Sequence, residues 1–503
     1  MKLIPNNMLT LIENVCTYAE QSLIEFAIND FNDNSEVLSA KMISALSKGL
    51  EDSVREAARK GLEQFLQGFE EEIPKTIPFQ DQAWRRATIE GKDILTKFGE
   101  IHLKRGLYYP EKEPNPVPKK PLGKAWVPLD SAWGMEGRNA TAEVVEGLLY
   151  LSASHGAKEA TKSYNKISGL DVGVTRVYQI IQNDGQRFKN YVDENREERW
   201  SSIEVPERTE AFVVSMDGAN VGLREAGTKR GRTKKRPETE AETASEESKQ
   251  SCYKNAMVGS YSFYTNEETS DHSGETRMSP VRLSSIYTAK MPEEKFLTFK
   301  EENQEVIQII RGEILEDKGM VKLLIMDGAR PLWKYAKDSK LFEDFDWLLD
   351  FYHASEHLST LSEAIFGSDT AAAKSWYCKW RKKLKGEEGA IKGLLHSIGY
   401  YGKKQRLRGS RKQTWEREKG FFTRNQAIMN YAIYYEEGLP IGSGPVEAAC
   451  KSIVKARMCQ SGMRWHRESG ANVLNLRVIK QSDQWEQMWS QYRENAWNLR
   501  PAA

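Results

Sequence analysis

Two acidic residues in the middle of this 503-residue chain share one setting. Ala211-Phe-Val-Val-Ser-Met-Asp217-Gly218 and Val321-Lys-Leu-Leu-Ile-Met-Asp327-Gly328 are apolar, partly β-branched runs that stop at Met-Asp-Gly. Such a run, closed by Gly, reads as a buried strand covered on both faces. Two such strands bring two carboxylates to one edge of a sheet, where open α/β sheets bind ligands. The plainer alternative is that each Asp-Gly only begins a turn. A third carboxylate, Glu447, lies in Gly438-Leu-Pro-Ile-Gly-Ser-Gly-Pro-Val-Glu447-Ala-Ala-Cys-Lys, a loop running into a helix. With Gly444 as N-cap, Pro445 and Glu447 take favoured first-turn positions, so a purely structural role as dipole partner is the alternative. Lys451, Lys455 and Arg457 follow on that helix, with Arg464 and Arg467 beyond. Carboxylates of this kind select Mg²⁺ or Mn²⁺. Two such ions about 3.5–4 Å apart stabilise both oxygens of an in-line displacement at phosphorus.

The totals permit that chemistry without arguing for it. Formal net charge is +1, so a nucleic-acid role has to come from local patches. With 39% hydrophobic and 29% charged residues the chain can build real cores under a solvated surface. Cys16, Cys252, Cys378, Cys450 and Cys459 are odd in number and scattered, with neither zinc-knuckle nor disulfide spacing. Met1-Lys-Leu-Ile-Pro opens no signal peptide, and no apolar run approaches membrane-spanning length. These features point to a reducing, cytoplasmic setting with no membrane partner.

The elements that must hold the carboxylates follow from the pattern along the chain. Residues 6–70 read as helices. Ser35 starts one that carries Leu38, Met42, Ile43, Leu46 and Leu50, and Leu62, Phe65, Leu66 and Phe69 form another stripe. Residues 94–109 read as a small hairpin, and Pro110 to Pro128 as a linker. Between 141 and 190 come three helices: one capped by Thr141, one from Ala157 to Ile167 ending at Ser168-Gly169, and one opening near Gly173-Val-Thr175. Helix, Gly turn, capped helix is the layout of a helix-turn-helix, with Thr175, Arg176, Tyr178 and Gln179 on the exposed face near the recognition helix's start. A packing module is the alternative.

After Asp217 a basic block, Lys229 to Arg236, and an acidic block, Pro237 to Ser248, cannot bury themselves and read as a disordered loop. Residues 254–264 and 281–288 extend the first strand into an antiparallel meander. A helix over 292–318 leads to the Asp327 strand, and Phe345-Asp-Trp-Leu-Leu-Asp350 forms a fifth strand ending in another acid. Residues 354–435 are helical and rich in Trp, Tyr, Lys and Arg. Trp376, Trp380, Arg381 and Lys382 could stack on bases and neutralise phosphates, or the Trp residues could be core and the Lys a solvated face. His353 and His357 could share a helical face as zinc ligands, but no third ligand is in view.

These residues carry a family resemblance. Asp217, Asp327 and Glu447 resemble the Asp-Asp-Glu triad of RNase H-like (DDE) transposases. Asp350-Phe-Tyr-His353 followed by Ala-Ser-Glu-His-Leu resembles the Asp-x-x-His element after the second Asp. Leu439-Pro-Ile-Gly-Ser-Gly-Pro-Val-Glu-Ala-Ala-Cys-Lys with Ser-Gly-Met-Arg-Trp465 resembles the Glu block of the bacterial ISKra-four insertion-sequence family. The resemblance spans roughly 95–480 and is most specific from 321 to 466. Relatives often carry a small zinc ribbon before the helix-turn-helix. This chain has no Cys between 16 and 252, so its 94–109 hairpin would keep the shape without the metal.

The resemblance implies a DNA transposase of an insertion sequence, working as a homo-oligomer on paired element ends in the bacterial cytoplasm, nucleoid-associated. Water would nick the terminal inverted repeats, and the freed 3′-hydroxyl would attack target DNA. Asp217 would be the shared ligand of two Mg²⁺, with Asp327 and Glu447 each completing one shell. Asp350 and His353 would position the scissile phosphate or leaving strand, unless they make only a structural contact. The implied fold is an α/β RNase H-like mixed sheet with a helical insertion, behind a mainly helical N-terminal region. The implied domains are an N-terminal helical region (1–93), a hairpin and linker (94–130), a helix-turn-helix domain (131–205), the first part of the core (206–353), the insertion (354–435) and the final core helices (436–503). The stretch between Asp327 and Glu447 is too long for a simple strand-to-helix link, which is why 354–435 reads as inserted. Competing functions are a DNA-binding repressor or scaffold with a retired catalytic domain, and a metal-dependent nuclease without strand transfer.

Overall fold

The computed structural model describes residues 40–79, 82–111, 125–224, 253–270, 276–314 and 319–497, with a few positions before 40. The basic and acidic blocks after Asp217, the helix start at Ser35 and most of the 110–128 linker lie outside the described residues. The chain divides into two units, Met1–Tyr191 with Glu486–Ala503, and Val192–Trp485.

The first unit begins with α1 (Ala40–Glu72). Phe65, Leu66, Phe69 and Ile73 from its end pack with Trp84, Tyr108, Trp126 and Trp133. Next comes an antiparallel sheet of β1 (Thr76–Phe79), β2 (Gln82–Thr96) and β3 (Gly99–Pro110). The expected 94–109 hairpin is thus the tip of a longer one, and residues 76–79 and 82–93, read as the tail of the helical region, are strand. Pro74 and Pro78 disfavour a helix there, and β2 gains a partner at nearly every residue from Trp84↔Pro110 to Thr96↔Gly99. Asp130 is buried and holds β2 and β3 through Lys92 at 2.8 Å and Arg105 at 2.5 Å.

Three helices follow in the expected order, α2 (Ala142–Ser154), α3 (Ala157–Ser168) and α4 (Val174–Glu194). Gly169 ends α3 with φ 69°, the left-handed conformation that makes glycine the fitting residue at that turn. Val144, Val145, Leu148, Leu149, Val177, Ile180 and Ile181 are buried.

The second unit is built on a five-stranded sheet, β4 (Ala211–Gly222), β5 (Tyr253–Ser270), β6 (Thr276–Lys290), β7 (Val321–Met326) and β8 (Asp346–Leu349), in the order β6-β5-β4-β7-β8. β4–β7 and β7–β8 are parallel, and β4–β5 and β5–β6 antiparallel. Successive β4 side chains point to opposite faces, and all six from Ala211 to Met216 are buried, so the sheet is covered on both sides. Helix α5 (Leu297–Ile314) contributes Phe299, Val306, Ile307 and Ile310 to the core.

After α6 (Arg330–Asp338) and β8 the chain is helical: α7 (Phe351–Phe366), α8 (Ala371–Gly386), α9 (Ala390–Lys404), α10 (Gly409–Asn425) and α11 (Tyr431–Glu436). These helices are not a separately cored domain. Leu358, Leu361, Trp376, Leu394, Ile398 and Phe422 belong to the same apolar cluster as the sheet. Next comes α12, which runs as α-helix over Gly444–Ala449, π-helix over Cys450–Lys455 and α-helix again over Ala456–Met458. Then follow α13 (Arg467–Gln481) and α14 (Trp485–Ala496). Ile453, Val454, Leu474 and Val478 of α12 and α13 pack on Val221, Val258 and Tyr287 of the sheet. Most of α14 groups with the N-terminal unit, whereas the sequence reading puts all of 436–503 in the core. No helix among the described residues is long and apolar enough to cross a membrane.

Candidate active site

The two Met-Asp-Gly segments behave differently. β7 does stop at Met326, and Asp327 is the first residue beyond it. β4 does not stop at Asp217. Its parallel pairing with β7 ends at Val214↔Leu324, but its antiparallel pairing with β5 continues through Asp217↔Val258 to Gly222↔Tyr253. Asp217 is therefore mid-strand, held by β5 where β7 no longer covers the other side. The sequence reading missed this because the partner that prolongs β4 lies beyond the 225–252 stretch.

Asp217, Asp327 and Glu447 line one pocket, together with Met216, His353, Ser443, Cys450, Lys451 and Lys455. Asp217 Oδ1 accepts from its neighbour Gly218 N at 2.6 Å. Asp327 Oδ1 accepts from Ala329 N at 2.9 Å, and Trp333 Nε1 donates to the Asp327 carbonyl at 2.6 Å. A Cβ on Gly328 would fall 2.7 Å from Phe421 Cε2, so this glycine admits an aromatic ring directly beside Asp327.

Ser443, not Gly444, is the N-cap of α12, which puts Glu447 one position further into the helix than expected. The loop before it is fixed by Asp350. This carboxylate is 1% exposed. Its Oδ2 accepts from Ser443 N at 2.5 Å and Ser443 Oγ at 2.6 Å, and its Oδ1 caps α7 by accepting from His353 N at 2.7 Å. Asp350 does not line the pocket. In place of the expected contact with DNA its carboxylate makes positioning contacts, capping α7 through Oδ1 and tying the end of β8 to the start of α12 through Oδ2. The π-helical stretch that begins at Cys450, three residues after Glu447, is a rare geometry that recurs at functional sites.

Electrostatics mark the pocket as short of positive charge. Burial pushes the Asp327 carboxyl above its ordinary value, with Asp217 and Asp350 adding to the effect and the Ala329 N–H and His353 opposing it. Glu447 is pushed up by burial, then by Asp350, Asp217 and Glu356, against Lys451. The nearest ammonium of Lys451 is 3.9 Å from Glu447 Oε2, on a largely exposed side chain. Burial, and then the nearby Asp217 carboxylate, raise the Cys450 thiol. Among the described residues, no group of three or more His, Cys, Asp or Glu is arranged, as it stands, to hold a metal ion.

The residues expected on DNA divide. Thr175, Tyr178 and Gln179 are exposed at the start of α4. Arg176 is not available beside them: it pairs with Glu100 and donates to the Asn139 carbonyl at 3.0 Å, anchoring α4 to the hairpin. Trp376 is buried and donates to Ser397 Oγ at 3.0 Å, which removes it as a stacking platform. Trp380 packs against the core as well, and Arg381 lies 5.2 Å over the Phe351 ring. Arg457 is buried, 5.0 Å from the Trp465 ring. Lys382, Lys451, Lys455 and Arg464 are exposed. Sequence reasoning missed Ser443, Cys450, Glu418 and Phe421 and weighed His357 only as a zinc ligand. Among the missed residues only Ser443 and Cys450 carried a signal, since both flank Glu447 in its motif.

The sequence matches no protein-family model and no curated protein. Among solved structures, a similar chain is found in the Drosophila P element transposase strand transfer complex, at 10% identity and a TM-score of 0.25, over 72% of this chain and 84% of that one. A likeness of that size carries no argument, and the ISKra-four resemblance rests on its motifs alone.

Proposed function

We propose that this chain is a DDE transposase of an insertion sequence, which binds element ends and catalyses metal-dependent DNA cleavage and strand transfer. The observation that carries the reading is that Asp217, Asp327 and Glu447, from three distant segments, line one pocket rimmed by Lys451 and Lys455. The sheet order β6-β5-β4-β7-β8 supports an RNase H-like core beneath it.

The donor set fits Mg²⁺ or Mn²⁺: three carboxylates, two of them raised by burial and by the nearby charges of Asp217 and Asp350, suit hard divalent cations. Asp217, Asp327 and Glu447 would hold two such ions. When bound, the ions supply charge stabilisation to the attacking and leaving oxygens of an in-line displacement. The chain's own residues do the rest. Ser443 and Asp350 set the position of Glu447, Lys451 and Lys455 draw in the phosphate backbone, and exposed Thr175, Tyr178 and Gln179 offer contacts to element ends from a helix-turn-helix. Work on paired ends calls for a homo-oligomer.

The test is incubation of purified protein with Mg²⁺ and a supercoiled plasmid carrying the segments that flank its gene. Nicking at the element ends, followed by joining of those ends to a second plasmid, is expected from the wild type and not from Asp327→Asn. Ends bound but left uncut with both Mg²⁺ and Mn²⁺ would mean a retired enzyme. Cutting without joining would mean a nuclease.

A further inference from the structure

His353 lines the carboxylate pocket from the first turn of α7. One turn on, His357 Nε2 lies 3.2 Å from His353 Nε2. The other ring nitrogen of His357, Nδ1, lies 2.5 Å from Glu418 Oε2 on α10. Glu418 is 1% exposed, and its second oxygen accepts from Arg417 Nε at 2.7 Å. Burial works to raise this carboxyl, but hydrogen bonds from His357 and Arg417, with the Arg417 charge, outweigh it and hold it below its ordinary value. Phe421, on the same face of α10, stacks on His357 at 3.7 Å and 18° and also meets Gly328. The His357 ring is thus fixed by a stack on its face and a buried carboxylate at its edge.

We propose that Glu418 and His357 form a positioning relay that dictates which nitrogen of His353 carries the proton beside the carboxylate pocket. An ionised carboxylate only accepts, so His357 Nδ1 carries hydrogen. With that one ring hydrogen on Nδ1, His357 offers Nε2 as a lone pair. Across the 3.2 Å gap His353 Nε2 must be the donor, which leaves His353 Nδ1 as an acceptor. The nearest acidic group to that Nδ1 is the exposed Glu356 at 3.9 Å, beyond hydrogen-bond reach. Set this way, His353 presents a lone pair, suited to accept from a water or a 3′-hydroxyl and unsuited to grip a phosphate oxygen. Glu418 and His357 act only through His353. The logic is that of an outer carboxylate fixing a histidine's tautomer. What the lone pair serves rests on the transposase reading; the relay itself does not.

The test uses full-length protein labelled with ¹⁵N-histidine, the His353 and His357 signals being assigned by their loss in His353→Asn and His357→Asn. Wild-type His353 is expected as the Nε2–H tautomer. Glu418→Gln keeps the shape but can donate as well as accept, and is expected to mix or reverse that tautomer with the fold intact. Should Glu418→Gln fail to fold, His357→Asn makes the same test through the His353 signal. In the plasmid assay both variants should lose about 10- to 100-fold in rate at saturating DNA, with DNA affinity unchanged. An Nδ1–H tautomer in the wild type, or a His353 spectrum unaltered in these variants, overturns the relay whatever the activity. So does full nicking by both variants beside a dead Asp327→Asn. Full nicking by Asp327→Asn would sink the transposase reading instead and leave the spectroscopic result standing.

Discussion

The paired acids of the N-terminal unit and the pocket acids of the sheet unit are treated in opposite ways, although elsewhere the sheet unit also gives buried acids a cation, Glu302 meeting Lys290 at 2.7 Å and Glu418 meeting Arg417 at 2.7 Å. In the N-terminal unit Asp130 is met by Lys92 and Arg105, and Asp184 by Arg138 at 3.3 Å and Arg187 at 3.1 Å. Each acid has two cations of the chain's own. In the sheet unit, among the described residues, neither Asp217 nor Asp327 makes a Lys or Arg salt bridge, and Glu447 has only Lys451 at 3.9 Å. A chain able to neutralise an acid with arginine twice over leaves three acids facing one another. Asp217 and Asp327 are half-buried and Glu447 is exposed; even partial desolvation of a charge without a partner is costly, so the second arrangement fits a site whose cation arrives from outside.

The comparison breaks most sharply in catalysis. Asp217→Asn, Asp327→Asn or Glu447→Gln should each lower plasmid nicking by about a thousandfold or more. Several kcal/mol of transition-state stabilisation are lost, and about 1.4 kcal/mol is a factor of ten. A Glu447→Gln protein that cuts at the wild-type rate would reduce Glu447 to a helix-start residue and take the pocket out of the mechanism. Asp184→Asn, by contrast, should unsettle the N-terminal unit and leave the chemistry of each folded molecule unchanged.

Asp350 lies between the two classes, buried and satisfied by hydrogen bonds rather than cations. Asp350→Ala should cost about 3 kcal/mol in denaturant unfolding, since Ser443 and the α7 terminus lose a charged acceptor. It should slow nicking less than loss of a pocket carboxylate does. Equal losses for Asp350→Ala and Asp327→Asn would place Asp350 among the reacting groups.

Metal and pH sharpen the contrast. Mg²⁺ should raise the melting temperature of the wild type, by about 2.7 kcal/mol of stability at a hundredfold excess over Kd, and do much less for Asp327→Asn. Asp327 and Glu447 hold their protons more tightly folded than unfolded. Their contribution favours the fold in acid and is lost as pH rises through their raised values, so at neutral pH without metal both destabilise. Asp327→Asn should then melt higher than wild type at neutral pH, by about 2–4 °C per kcal/mol relieved, and the gain should fade in acid. A gain that persists in acid would rule out charge as its cause.

The smallest expected effects lie on α4. Tyr178→Ala or Gln179→Ala should weaken binding to the element ends by about tenfold in a titration at fixed salt, since one base contact is worth about 1–3 kcal/mol. Melting should not change. Arg176→Ala should lower melting, because its partners are Glu100 and Asn139 within the same unit.

The parts legible in the sequence are those set by local pattern. The runs before Asp217 and Asp327 are buried strand, and the Gly169 turn ends α3 where the glycine stands. What escaped depends on partners distant in the chain. β4 runs past Asp217 because β5 pairs with it, and Trp376 is turned inward because Ser397 receives its N–H. Arg176 looks like a DNA contact until Glu100 is beside it. Glu418 had no signal at all, since an acid in the charged run Glu416-Arg-Glu418-Lys419 reads as solvated surface.

One detail of the junction before α7 reaches beyond this molecule. Where the chain leaves the sheet, Phe351 N donates to the Ile441 carbonyl at 3.0 Å, and Asp350 grips Ser443 where the chain returns. Entry and exit are thus stitched together, so the length of what lies between hardly strains the closure. A segment with touching ends is a cassette that can be lengthened, trimmed or swapped between descendants while Glu447 stays in register. The limit on such exchange is narrow. Any replacement has to fill the core the helices share with the sheet, carry its own pairing of a histidine with an acid, and bring an aromatic ring to Gly328, and lineages that change that ring should change Gly328 with it.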